Sequence, residues 1–222
     1  MERSFETQLE DLSTLIQRMG GHVEQSIGHA VQSLVDRDAD LAREVIGQDK
    51  QIDQLELDAD AHVLHVLARY QLAARDLRFL TTAMKILPDL ERIGDQAVNV
   101  AERALELLDE APLPLVVDLP RSANRAREMV RQVLDAFMRH DADAARAVIQ
   151  MDDDLDAWTR TMFHDLLAHM TKEPSLINRA MRLAFVAKYF ERMGDQATNI
   201  AEQIVFMVEG TVLKHARIHE DD

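Results

Sequence analysis

The chain of 222 residues contains no cysteine. That excludes disulfides, thiolate metal sites and a thiol nucleophile, and it fits a reducing compartment. Glycine and proline are scarce, at 7 and 5 residues, about 5% of the chain against a usual value near 12%. So few turn residues argue against a sheet-rich fold. No run approaches the roughly 18 apolar residues of a membrane span. The first residues, MERSFETQLEDL, are charged and lack an apolar stretch, so no secretory signal is expected there. Positive charge is also short: 25 Lys and Arg face 40 Asp and Glu, a formal charge of −15. That surplus repels phosphate backbones and anionic headgroups, which disfavours nucleic acid and direct lipid binding. It suits a protein that binds cations or a basic partner surface. The expectation is a soluble, acidic, cytoplasmic, all-α protein.

What the chain does contain is helical periodicity. No Gly or Pro occurs between Gly47 and Pro88, or between Pro120 and Pro174. Leu41, Val45, Ile52, Leu55, Ala59, Val63, Val66 and Tyr70 recur at spacings of three and four, too long a stripe for a strand. Pro112, Pro114 and Pro120 cluster at the midpoint, where proline removes donors and disfavours helix in the residue before it.

A linker at the midpoint suggests duplication. RDADLAREVIGQDKQID at 37–53 matches HDADAARAVIQMDDDLD at an offset of 103. ERIGDQAVNVAE at 91–102 matches ERMGDQATNIAE at an offset of 100, with nine of twelve residues identical. Each half reads as three long helices, near 4–36, 39–70 and 74–109, then 120–139, 142–171 and 175–209. Asp38 and Asp141 stand where a cap accepts orphan backbone N–H groups. Three amphipathic helices joined by short turns run up-down-up around one core. The expected architecture is two tandem three-helix bundles, at 1–110 and 119–210, followed by a tail at 211–222. Pro88 falls inside the third helix and should kink it there. Lys188 takes the equivalent place in the second half.

The repeated motif carries an acidic stripe. Asp95, Asn99 and Glu102 fall about 40°, 80° and 20° around the helix from Glu91, away from the apolar face. Glu191, Asp195, Asn199 and Glu202 repeat it. Asp49, Asp53 and Glu56 form a second stripe on the preceding helix, and Asp152 and Asp156 its counterpart, with Trp158 and Thr159 in place of the third acid. A solvated helix face would interleave bases, because like charges four apart cost about 0.2–0.5 kcal/mol per pair. Here no base intervenes, and the pattern occurs twice. Carboxylate and amide oxygens without thiolates suit hard cations such as iron, manganese or magnesium. The other reading is an acidic surface for solvent or a partner.

At these residues the sequence resembles the PhoU family of phosphate-regulation proteins, with ERxGDQAxNxAE twice and DLRFL at 76–80. The resemblance spans almost the whole chain and implies two tandem three-helix bundles. It also implies metal clusters, often of iron, held by Asp49, Asp53, Glu91, Asp95, Asp152, Asp156, Glu191 and Asp195. Asn99, Glu102, Asn199 and Glu202 match neighbouring family positions. Asp76 matches too, while its counterpart is Leu176, which leaves the second site one member short. By the same resemblance the chain is a cytoplasmic negative regulator of the phosphate-starvation response, peripheral to the inner membrane through its partners. It would couple the ATPase subunit of the phosphate ABC transporter to a membrane sensor histidine kinase, modulate phosphate uptake, and form a homodimer.

An enzyme is the competing reading. Ferritin-like di-iron oxidases need Glu-x-x-His pairs, and none of the nine histidines follows a Glu by three. A metal-dependent phosphohydrolase is the alternative, because clustered metals activate water; only Arg92 and Arg192 stand near as phosphate clamps. Gly20-Gly21 lacks the Lys-Ser/Thr of a phosphate loop. No histidine carries a phosphotransfer motif, and His215 and His219 read as a fraying terminus. The methionines read as core filler.

Overall fold

The computed structural model describes residues 2–112 and 118–213, with side chains from residue 5 onward. Pro114, His215 and His219 lie outside the described residues. Among the described residues six long helices run in order: α1 (Glu2–Asp36), α2 (Ala39–Arg69), α3 (Ala74–Leu107), α4 (Leu119–Arg139), α5 (Ala142–Lys172) and α6 (Ile177–Glu209). A single 3-10 turn at Pro174–Leu176 leads into α6. No strand occurs among the described residues.

The turns that close each bundle are built alike. Arg37 and His140 adopt left-handed backbone conformations, at φ 56° and 53°. The next residue in each case donates back across the helix end, Asp38 N–H to Ser33 O and Asp141 N–H to Ala136 O, both at 2.9 Å. This six-to-one bond satisfies carbonyls that the helix leaves unpaired. The same aspartates then cap the next helix. Asp38 Oδ1 accepts from the Asp40 and Leu41 amides at 2.9 and 3.0 Å, and Asp141 Oδ1 from the Ala144 amide at 2.9 Å. The chain thus reverses in two residues, which forces α1 and α2, and α4 and α5, to pack side by side.

α3 continues as one helix through Pro88. Its apolar face buries Leu80, Ala83, Ile86, Leu87, Leu90 and Ile93 completely, and each fully buried large aliphatic side chain contributes about 1.5–3 kcal/mol. That packing holds the helix on both sides of the missing amide.

Within the bundles α1, α2 and α3 pack together, as do α4, α5 and α6; between them α3 packs on α6 and α1 on α4. One contiguous apolar core runs through all six helices. The α1–α4 crossing is close, since a Cβ on Gly20 would stand 2.1 Å from Leu134 Cδ1.

Candidate metal centre

The glycine of each ERxGDQ motif explains how the acidic stripes meet. A Cβ on Gly94 would lie 2.9 Å from Ile52 Cδ1 and 3.6 Å from Asp49 Oδ1. At Gly194 it would lie 2.7 Å from both Asp152 Oδ1 and Leu155 Cδ2. Lacking that atom, α3 sits down on α2 and α6 on α5, and the carboxylates of paired helices come face to face.

In the first bundle Asp49, Asp53 and Glu56 of α2 crowd Glu91 and Asp95 of α3. Burial pushes the Glu91 carboxyl up to about 7, with Asp95, Glu56, Asp53 and Asp49 all adding to the rise. Asp49 is pushed up to about 6 by burial, then by Asp53 and Asp95. Glu56 and Asp95 are raised by burial first as well, then by Asp60 and Asp53 on Glu56 and by Asp53 on Asp95. Arg92 opposes the rise at Glu56, but its guanidinium is paired with Asp89 at 3.3 Å. Desolvation and like charge act together here, and both favour a neutral or cation-bound carboxyl.

The second bundle differs. Asp156 is raised by burial and then by Glu191, and Asp195 by burial, then by Asp156 and Glu191. Lys188 works against both shifts and is ion-paired with Glu191. Asp152, only 5% exposed, lies over Gly194. The position matching Glu56 is Thr159, which is buried and without a hydrogen-bond partner at Oγ1. Trp158 is turned away from the acids, with its ring 3.8 Å from Arg121 Cζ on α4.

The remaining candidates are spread along the helices. At about 1.5 Å per residue, Glu102 and Glu202 stand roughly 10 Å from Asp95 and Asp195, so no single ion reaches both. Asn99 and Asn199 lie between them, half-buried. Glu102 is exposed, 3.6 Å from Arg103, and Glu202 borders a cavity of about 160 Å³ with Lys85 and Phe206. Asp76 is a correction: it lies at the start of α3, roughly 22 Å along the axis from Glu91, and does not join the first cluster. Asp60, one turn beyond Glu56 on α2, is the acid that the stripe pattern missed.

Oxygen donors alone, crowded by like charge, are the chemistry of a hard-cation site. Asp156 Oδ1 is buried and accepts no hydrogen bond, a costly arrangement unless a cation or proton supplies the missing partner. Among the described residues no three His, Asp or Glu side chains converge on one point, so a cation would draw them together by side-chain rotation. On these terms the residues fit a hard metal ion held at the bundle face.

Fold and site together define a tandem three-helix-bundle protein with a carboxylate cluster on each bundle. The PhoU domain matches twice, at residues 16–104 and 119–204. The chain belongs to the PhoU family. It is 38% identical over 216 residues to the phosphate-specific transport system accessory protein PhoU homolog of Pseudomonas aeruginosa, covering 97% of this chain and 89% of that protein. The crystal structure of PhoU from Pseudomonas aeruginosa superposes with a TM-score of 0.90 at 39% identity, over 93% of this chain and all of that one. The crystal structure of the phosphate transport system regulatory protein PhoU from Streptococcus pneumoniae gives 0.88 at 25% identity, over 94% and 99% of the two chains.

Proposed function

We propose that this chain is a regulatory accessory protein of phosphate transport that holds the phosphate-starvation response off when phosphate is plentiful. The observation that carries this reading is the family match across both repeats, with relatives named for phosphate transport over nearly the whole chain. In this reading the chain is an adaptor between the ATPase subunit of the phosphate ABC transporter and a membrane sensor histidine kinase. It acts as a homodimer at the cytoplasmic side of the membrane. No helix among the described residues is long and apolar enough to cross a membrane, so contact with those partners runs through protein surfaces.

The acidic clusters serve as metal sites, for iron, manganese or magnesium, through Asp49, Asp53, Glu91 and Asp95 on one bundle and Asp152, Asp156, Glu191 and Asp195 on the other. Carboxylates from both helices of the pair would hold the cation, whose positive charge would offset the like charge crowded in the first cluster. The phosphohydrolase alternative has less support, because Arg92, one of its two clamps, is already paired with Asp89.

Deleting the gene should derepress phosphate-starvation genes in phosphate-rich medium, and the chain should co-purify with the transporter ATPase from phosphate-replete cells. Unchanged expression would remove the regulatory role. Elemental analysis finding no metal, with no thermal shift on adding Mn2+, Mg2+ or iron, would remove the metal sites.

A further inference from the structure

The seam between the bundles has two ends, and the repeat makes them equivalent. At the first, α1 and α3 finish and α4 and α6 begin; at the second, α4 and α6 finish and α1 and α3 begin. Each end holds a cavity. The first is about 270 Å³ and is bordered by Val35, Arg37, Leu107 and Arg179. The second is about 620 Å³ and is bordered by their counterparts Met138, His140, Met207 and Phe79.

The first end is closed by the chain's own charges. Arg37 donates to the carbonyls of Leu107, Leu108 and Glu110 at 2.9, 2.6 and 2.7 Å. Arg179 donates to Ala111 O at 2.7 Å. The Glu110 carboxylate takes Arg182 and, at 3.7 Å, Arg179. Every guanidinium there has an oxygen partner within the molecule.

The second end keeps cations and loses the carboxylate. The counterpart of Glu110 is Gly210, and that of Arg37 is His140. Positive charge comes instead from Arg75 and Arg78, on the first turns of α3. Arg78 Nε donates to Met207 O at 3.1 Å, and Arg75 Nη2 lies 3.4 Å from His140 Nδ1. Among the described residues neither arginine forms an ion pair, although Glu10 and Asp76 also border the cavity. Burial and then Arg75 press the His140 pKa below its usual range. Leu9, Phe79, Met138 and Val208 supply apolar walls, and the volume falls within the ordinary range for small-ligand pockets, about 300–1,000 Å³.

We propose that this cavity binds a small organic anion, a carboxylate or phosphate carried on an apolar or aromatic body, with Arg75 and Arg78 taking the anionic end. The ligand's oxyanion takes the role that Glu110 plays at the other end of the seam, where a carboxylate of the chain itself sits between two guanidinium groups. Guanidinium forks suit both oxyanions, and the apolar walls select a ligand with a body over a bare ion.

Calorimetric titration of the full chain with benzoate, phenyl phosphate, inorganic phosphate and phenol tests this. Benzoate or phenyl phosphate should bind saturably, and phenol should not. Arg75→Gln, at an exposed side chain that holds no helix end, should weaken that binding at least tenfold, while Arg43→Gln, an exposed residue of α2 that does not border the cavity, leaves it unchanged. Arg78→Gln should act likewise; if it unfolds the protein by freeing Met207 O, Arg75→Gln decides alone. Absence of saturable binding by either organic anion, equal binding by Arg75→Gln and the unaltered chain, or equal binding of phenol would overturn the proposal. Inorganic phosphate binding as tightly as phenyl phosphate would overturn the organic part of it.

Discussion

Lys188 is ion-paired with Glu191 one turn further along α6, while the residue equivalent to Lys188 on α3 is Pro88. One acidic cluster therefore has a lysine ion-paired with one of its own carboxylates, while in the other the nearby Arg92 is paired with Asp89. On the proposed metal role, Lys188 would compete with the ion for Glu191, so Lys188→Gln should strengthen Mn2+ binding at the second cluster, on the order of three- to tenfold. Titration calorimetry reads this directly. An unchanged constant would mean that Glu191 takes no part in binding.

Acid should stabilise the metal-free first cluster. Asp49 rises from 3.8 to about 6 and Glu91 from 4.5 to about 7, so the folded chain binds these protons more tightly than the unfolded one. Their contribution is complete below about pH 4 and is lost as pH rises through 6 and 7. Discounted for solvent screening, the loss is on the order of 1 kcal/mol per group. His140, pressed downward, acts in the opposite sense below its ordinary range, so a variant isolates the effect. With chelator present, Glu91→Gln should raise the melting temperature by about 2–4 °C at pH 7.5 and leave it nearly unchanged at pH 5. A gain of equal size at both values would contradict the assignment.

The two motif glycines should respond differently to alanine. Helix propensity favours Ala over Gly by about 0.8–1 kcal/mol. At Gly94 the new methyl meets the flexible end of Ile52 at 2.9 Å, which can give way. At Gly194 it meets Asp152 and Leu155 together at 2.7 Å, and overpacking of that kind costs about 1–3 kcal/mol. Gly94→Ala should be close to neutral in urea denaturation and Gly194→Ala destabilising. The reverse order would show that the second helix pair is the looser one.

Arg37 ties the end of α1 to the end of α3. Arg37→Ala removes three hydrogen bonds from carbonyls and keeps the left-handed backbone, for an expected loss of about 1–2 kcal/mol. Arg37→Gly relieves the backbone as well and should recover part of that loss. Hydrogen exchange at Leu107 to Glu110 should quicken in both. Unchanged exchange would mean that the clasp is idle in solution.

Much of the fold was legible because the chain breaks helix so rarely. The expected segments 39–70 and 142–171 differ from Ala39–Arg69 and Ala142–Lys172 by one residue, since Asp38 and Asp141 mark the starts and no Gly or Pro interrupts their apolar stripes after Gly47. The acidic stripes were legible as an angular pattern on single helices. That stripes on neighbouring helices adjoin was an expectation too; what the pattern did not show is that their approach depends on Gly94 and Gly194 admitting a neighbouring helix. Asp76 was misplaced for a related reason: a motif match carries no axial distance. The Arg37 clasp spans about 70 residues of sequence, and neither end of it shows in local pattern.

The cross-bundle contacts join each helix to its own counterpart, α1 to α4 and α3 to α6. That is the contact pattern of an isologous pair, in which one surface meets a second copy of itself about a twofold axis. The molecule thus has the form of two single bundles paired as if in a homodimer, but joined in one chain. Within one chain the halves need not match: Lys188 stands in one where Pro88 stands in the other, and Glu110 closes one end of the seam where Gly210 stands at the other.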